Sequence, residues 1–124
     1  MFCDLVGSTA LSAQLDPEEL LDVVRDYQET CTVVIQRYDG HIAQHLGDGL
    51  LVYFSYPVAH EDDAQRAVRA GLGIVAALPD LNTRLQQTVK VLRDFPLQVR
   101  IGIHTGLVVV GDMGGGGYLS LIHI

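Results

Sequence analysis

Between residues 20 and 38 apolar side chains recur at spacings of three and four: Leu20, Val24, Tyr27, Cys31, Val34 or Ile35, and Tyr38. Asp22, Arg25, Asp26 and Glu29 fall between them. That is the period of an amphipathic helix, one stripe inward and one outward. The segment Asp16-Pro17-Glu18-Glu19 supplies its start, with Asp16 as N-cap, Pro17 in the first turn and Glu19 at the capping-box position. Asp39-Gly40 closes the helix.

Shorter periods surround it. Residues 1–6 are apolar except for Asp4 and run into Gly7-Ser8-Thr9, as a buried strand entering a tight loop does. A strand normally takes about 5 or 6 residues, so this one is expected to begin before Met1. Residues 41–46 and 50–54 are two apolar runs joined by Gly47-Asp48-Gly49, a hairpin signal because glycine accepts the positive φ of a tight turn. In a βαββ arrangement the first strand is expected to lie centrally, beside the strand that follows the helix. His60-Glu61-Asp62-Asp63 then sets carboxylates in the first turn of a second helix, where the macrodipole favours them. Its predicted inner face is Ala64, Val68, Gly71, Val75 and Leu78. Pro79 is expected to break or kink it, and Leu81, Leu85, Val89 and Leu92 to form a further helical piece.

Leu97, Val99, Ile101 and Ile103 alternate with Gln98, Arg100, Gly102 and His104, the pattern of a half-buried strand. Thr105-Gly106 is expected to turn it into a central strand at 107–110, followed by a loop of four glycines at 114–117. The order is strand, helix, hairpin, long helix, hairpin. It predicts an α+β fold, βαββαβ with an extra strand, helices on one face of the sheet.

Composition narrows the classes. The chain has 124 residues, 48% hydrophobic and 19% charged, which suits one compact domain. Its net charge is −7 and Lys90 is its only lysine, so the basic stripe of a nucleic-acid binder is missing. The acidic balance also disfavours anionic membranes. No apolar stretch approaches the roughly 20 residues of a spanning helix, and no basic segment precedes an apolar run as in a signal peptide. Cys3 and Cys31 lack the second ligand pair of a structural zinc site, and they do not make a disulfide framework. A reducing, cytoplasmic location is expected.

Two carboxylates occupy unusual places. Asp4 is the lone charge at an apolar strand end, and Asp48 is the tip of the first hairpin. If the fold brings them together they repel, unless a divalent cation neutralises them; Mg²⁺ characteristically takes one or two carboxylates plus substrate phosphates. Each has a plain structural reading when taken alone, Asp48 as a turn residue and Asp4 as a loop cap. Val6-Gly7-Ser8-Thr9 can be an ordinary turn or a loop whose N–H groups cradle phosphate.

In order and spacing these segments resemble the class III nucleotidyl cyclases, the catalytic domain of bacterial-type adenylate and guanylate cyclases. The carrying residues are Phe2-Cys3-Asp4-Leu5-Val6-Gly7-Ser8-Thr9, Leu46-Gly47-Asp48-Gly49-Leu50-Leu51-Val52-Tyr53-Phe54, His60-Glu61-Asp62-Asp63-Ala64 with Arg66-Ala67, and Val99-Arg100-Ile101-Gly102-Ile103-His104-Thr105-Gly106. The resemblance spans residues 1–117; the tail at 118–124 does not match, and a domain truncated at both ends is expected. It implies the ferredoxin-like βαββαβ sheet of those domains. It also implies that Asp4, Asp48 and the Leu5 carbonyl hold two Mg²⁺ or Mn²⁺ ions, and that Val6, Gly7, Ser8 and Thr9 contact the triphosphate. The implied reaction converts ATP or GTP to the 3′,5′-cyclic nucleotide and pyrophosphate, in a homodimer fused to further regulatory domains and serving intracellular signalling.

Gln44 stands where the family reads the base with lysine or glutamate, and an amide that donates and accepts suits either base. Arg100 and His104 are expected to be structural. The Asn and Arg that support the family's transition state match no position here, so the chain alone is expected to be inactive. A non-catalytic, nucleotide-binding regulatory module is the alternative. A relative of polymerase palms or diguanylate cyclases fits less well, because the hairpin carries Gly-Asp-Gly.

Overall fold

The computed structural model describes residues 1–110 and 120–123. Its elements are β1 (Phe2–Leu5), α1 (Ser8–Ser12), α2 (Pro17–Arg37), β2 (His41–Leu46), β3 (Gly49–Tyr53), α3 (Asp63–Gln86), α4 (Val91–Asp94), β4 (Val99–Gly102), β5 (Leu107–Val110) and β6 (Ser120–His123). Four strands form one antiparallel sheet in the order β2-β3-β1-β4, and among the described residues β5 pairs with β6 in a second sheet. The α+β class expected from the sequence holds.

Burial alternates along the strands, and this assigns the two faces of the sheet. Cys3, Leu5, Leu50 and Val52 are buried and meet Val23, Tyr27, Cys31 and Ile35 of α2 and Ala67, Ala70 and Ile74 of α3 in one core. Phe2, Asp4, Leu51, Tyr53 and Arg100 point the other way and are at least partly exposed. The helices therefore cover one face, and the other carries the charged positions.

β1 is central as expected, but its neighbour is β3 and not β2. β3 is the more apolar of the hairpin strands, with Leu50 and Val52 fully buried, whereas β2 is mostly exposed and takes the edge. The expected β4–β5 hairpin is absent. β5 takes its partners from β6, in the register Leu107↔His123 to Val110↔Ser120, so it is not a central strand of the main sheet. The glycines at 114–117 lie outside the described residues, as does the expected tail 118–124 apart from 120–123.

α2 starts and ends as expected, with Pro17 in its first turn, although Asp16 makes no side-chain cap hydrogen bond. α3 departs more. Only Asp63 of the His60-Glu61-Asp62-Asp63 segment lies in its first turn, and Asp62 is its N-cap residue. Its buried face is Ala67, Ala70, Gly71, Ile74, Leu81 and Leu85, while Val68 and Val75 are about half exposed. Close packing explains the rotation. A Cβ at Gly73 would lie 2.8 Å from Val34 Cγ1, and one at Gly71 3.6 Å from Ile101 Cγ2. At Gly73 any side chain would press into Val34, whereas at Gly71 the approach to Ile101 is an ordinary contact.

Pro79 does not break α3, which runs through it to Gln86. An internal proline costs about 3 kcal/mol, and burying a leucine returns about 1.5–3 kcal/mol. Leu81 and Leu85, both buried beyond Pro79, outweigh it. Val89 then lies in the link between α3 and α4 and Leu92 in α4, so the expected second helical piece is divided between α3 and α4. Asn82 ties α3 to the entry of β4: its side chain donates to the Leu97 carbonyl at 3.0 Å and accepts from the Leu97 N–H at 2.7 Å. No helix among the described residues is long and apolar enough to cross a membrane.

Candidate functional site

Register brings the β1 stretch that carries Asp4 beside the turn that carries Asp48. β1 and β3 pair antiparallel with Phe2↔Leu51 and Cys3↔Leu50, so the next step sets Asp4 beside Gly49, the residue after Asp48. The approach is close: a Cβ on Gly49 would lie 3.3 Å from the Cys3 carbonyl oxygen and 3.4 Å from Asp4 Cβ. β2 and β3 are joined by only Gly47 and Asp48, with Leu46 opposite Gly49. Gly47 takes φ 63°, the positive value that makes glycine the residue of choice at the first place of such a turn.

The carboxylates are unequally satisfied. Asp48 Oδ2 is buried and has no hydrogen-bond partner. Leaving such an acceptor unpaired costs free energy unless something absent from the protein alone satisfies it. Asp4 is about one-fifth exposed and is held by Arg100, whose Nε lies 3.2 Å from Oδ1 and whose Nη2 lies 3.3 Å from Oδ2. An orphaned carboxylate oxygen on the residue next to the Gly49–Asp4 contact is a donor that fits a hard divalent cation. Among the described residues no group of three or more His, Cys, Asp or Glu is placed to hold a metal ion, so remaining ligands would be main-chain oxygens, water or phosphate. The Leu5 side chain is buried, and this residue can offer the site only its main chain.

Beneath the carboxylates lies a packed polar pair. Cys3 Sγ and Tyr27 Oη share a hydrogen bond of 2.9 Å in the core. Burial pushes the Tyr27 hydroxyl well above its ordinary pKa, and the hydrogen bond with Cys3 together with burial pushes the Cys31 thiol up. Both stay protonated at neutral pH. Cys3 and Cys31 are free thiols.

The segment Val6, Gly7, Ser8, Thr9 continues directly from β1. Val6 is exposed and its N–H donates to the Gln98 carbonyl at 2.8 Å. Gly7 takes φ 69°, ψ 24°, and its carbonyl accepts from the Leu11 N–H at 3.0 Å. Ser8 and Thr9 open the single turn of α1 without a side-chain cap, so the first N–H groups of that turn have no partner within the helix. A cavity of about 330 Å³ beside the loop is lined by Val6, Gly7, Leu11, Phe95 and Leu97 and contains neither carboxylate. The carboxylates belong to an open sheet face.

Gln44 is exposed on β2, just past a register irregularity between Ile42 and Gln44. It pairs with Leu51, which pairs with Phe2. Gln44 is thus on the face of Asp4, two strands away and one row along. Arg100 was expected to be structural and solvent-facing. It is largely exposed, yet it sits directly across from Asp4 in the β1–β4 register. Alternation along β4 signals which face Arg100 takes, but not which β1 residue it meets. His104 is exposed and stands apart from the carboxylates in sequence order, beyond the end of β4.

The His60–Arg66 segment forms a separate clamp. The His60 N–H donates to Asp63 Oδ2 at 2.9 Å, and Arg66 joins Asp62 at 2.7 Å and Asp39 at 2.9 Å. It fastens the start of α3 to the end of α2.

Residues 1–116 match the family described as the adenylate and guanylate cyclase catalytic domain. The chain is 33% identical over 114 residues to adenylate cyclase 1 of Rhizobium meliloti, covering 92% of this chain and 16% of that protein. It is 29% identical over 114 residues to retinal guanylyl cyclase 2 of Rattus norvegicus, covering 91% of this chain and 10% of that one. Among solved structures, the guanylyl cyclase Cya2 superposes with a TM-score of 0.78 at 31% identity, over 98% of this chain and 60% of that chain. The chain therefore spans a small part of the curated relatives and under two thirds of the solved domain.

Proposed function

Because the chain belongs to the family of adenylate and guanylate cyclase catalytic domains, we propose that it forms the metal- and nucleotide-binding part of a nucleotidyl cyclase. Its substrate is ATP or GTP, its products the 3′,5′-cyclic nucleotide and pyrophosphate. The observation that carries this reading is the packing of the Asp48 turn against the Asp4 strand, with Asp48 Oδ2 buried and unpartnered.

In this reading Asp4, Asp48 and the Leu5 carbonyl hold two Mg²⁺ or Mn²⁺ ions. When bound, such ions neutralise charge on the triphosphate and lower the pKa of the attacking 3′-hydroxyl. Val6, Gly7, Ser8 and Thr9 form the loop that orients the triphosphate; the Val6 N–H is held by the Gln98 carbonyl, and the N–H groups that open the following helical turn suit an anion. Gln44, on the same face as Asp4, meets the base with one donor and one acceptor group. Water is excluded by a second copy laid over the open face, where Phe2 and Leu46 are exposed apolar residues at 38% and 40%. The shared site is thus a homodimer's, and it serves signalling within a larger protein.

The family's supporting Asn and Arg match no position in this sequence, and each lost transition-state donor costs about 10²- to 10³-fold. The 124-residue chain by itself is therefore expected to give no measurable turnover. One feature favours a second reading: Gln44, in place of a base-reading Lys or Glu, is compatible with a non-catalytic nucleotide-binding module. A longer protein containing this segment, assayed with Mn²⁺ and either ATP or GTP, decides. Cyclic nucleotide that disappears in Asp48→Asn supports the cyclase; nucleotide binding without product supports the module.

A further inference from the structure

Asp4 and Asp48 share one corner of the sheet, but a cationic side chain attends only one of them. Both oxygens of Asp4 are taken by a single guanidinium, from Arg100 Nε at 3.2 Å and Nη2 at 3.3 Å, while Asp48 Oδ2 is buried without a partner. The Arg100 contact follows from the backbone, because Asp4↔Arg100 is a register pair of the β1–β4 ladder. The strand that delivers it is anchored upstream by the two Asn82–Leu97 hydrogen bonds. The side chain itself is 71% exposed, so it can swing into solvent without leaving a cavity.

We propose that Arg100 is a positioning residue that occupies Asp4 in place of a cation: it holds the carboxylate while the site is bare and must leave it when a divalent ion binds. This rests on the reading that Asp4 and Asp48 hold the ion. A carboxylate gripped at both oxygens by a planar fork keeps further lone pairs, but a hard cation that coordinates them is set against the guanidinium's positive charge and competes with its N–H contacts. Arg100 therefore works against loading of the bare ion. Exposed ion pairs are modest, so the expected penalty on ion affinity is about 2- to 5-fold, shrinking as salt screens the pair.

The test is a titration of the full 124-residue chain with Mn²⁺ alone, reading free ion by its electron paramagnetic resonance signal at low ionic strength. Arg100→Ala is expected to bind Mn²⁺ about 2- to 5-fold more tightly than the unmodified chain, a gain that loss of fold would not produce. Arg100→Lys, which keeps the charge but not the two-point grip, is expected to fall between them. Affinity unchanged or weakened in Arg100→Ala overturns the proposal, and so does a lysine variant indistinguishable from the unmodified chain, since charge alone would then account for the effect. Asp48→Asn separates the two levels. If it leaves Mn²⁺ binding intact, the shared ion site itself fails; if it weakens binding while Arg100→Ala changes nothing, only the role of Arg100 fails.

Discussion

Gly49 packs against Asp4 so closely that a Cβ at Gly49 would stand 3.4 Å from Asp4 Cβ, with the Cys3 and Leu46 carbonyl oxygens at 3.3 and 3.2 Å. Two of those three neighbours are main chain in the sheet and its turn, and cannot rotate aside. Gly49→Ala should therefore push the Asp48 turn away from β1. Overpacking of this kind costs about 1–3 kcal/mol, read as a lower urea midpoint, and Mn²⁺ affinity should fall with it. A variant as stable as the parent and binding Mn²⁺ equally would show that the contact does not hold the carboxylates together.

α3 carries a proline in its interior and continues because of what it buries afterwards. Pro79→Ala restores an N–H and relieves the ring's clash, so stability should rise, by up to about 3 kcal/mol. Leu81→Ala should lower it by about 2–5 kcal/mol, since Leu81 is fully buried. Denaturant unfolding of both variants checks the pair. A destabilised alanine at 79 would mean that the proline is required where it stands.

The clamp of Arg66 on Asp62 and Asp39 gives a pH signature. The hydrogen bond from Arg66 holds the Asp62 carboxyl below its usual value of 3.8. A carboxylate whose folded pKa is depressed contributes stability above the unfolded pKa and loses it as pH falls through the folded one. Arg66→Ala should therefore be less stable than the parent at neutral pH, and the difference should begin to narrow near pH 3.8 and close as pH falls through the lower folded value. The pair is exposed, so added salt should also narrow the gap. Thermal unfolding from pH 7 down to pH 2.5 reads both effects; a gap that persists in acid would assign the loss to packing of the Arg66 stem.

What the sequence made legible follows the physics of each element. The inner stripe of α2, with Tyr27 and Cys31, was readable because its opposite face is charged. The Gly47–Asp48 turn was readable because few residues other than glycine accept its backbone. The inner face of α3 was not, since Val68, Leu72 and Val75 are as apolar as the residues that are buried, and only the close approach of Gly73 to Val34 marks where α3 meets α2. The partner of β5 was hidden because β6 falls in the tail expected to lie outside the domain. For the site, Asp4 and Asp48 stood out as lone charges among apolar neighbours. Arg100 did not, because meeting Asp4 depends on the β1–β4 register, which alternation alone leaves open.

A double-mutant cycle on Mn²⁺ affinity, by isothermal titration of the 124-residue chain and its Asp4→Asn, Asp48→Asn and doubly substituted forms, tests the joint ion site most directly. If the two carboxylates serve one site, each single substitution should weaken binding by about tenfold or more, and the double substitution should cost clearly less than the sum of the two. Losses that simply add, or affinity untouched by either substitution, would contradict a shared site.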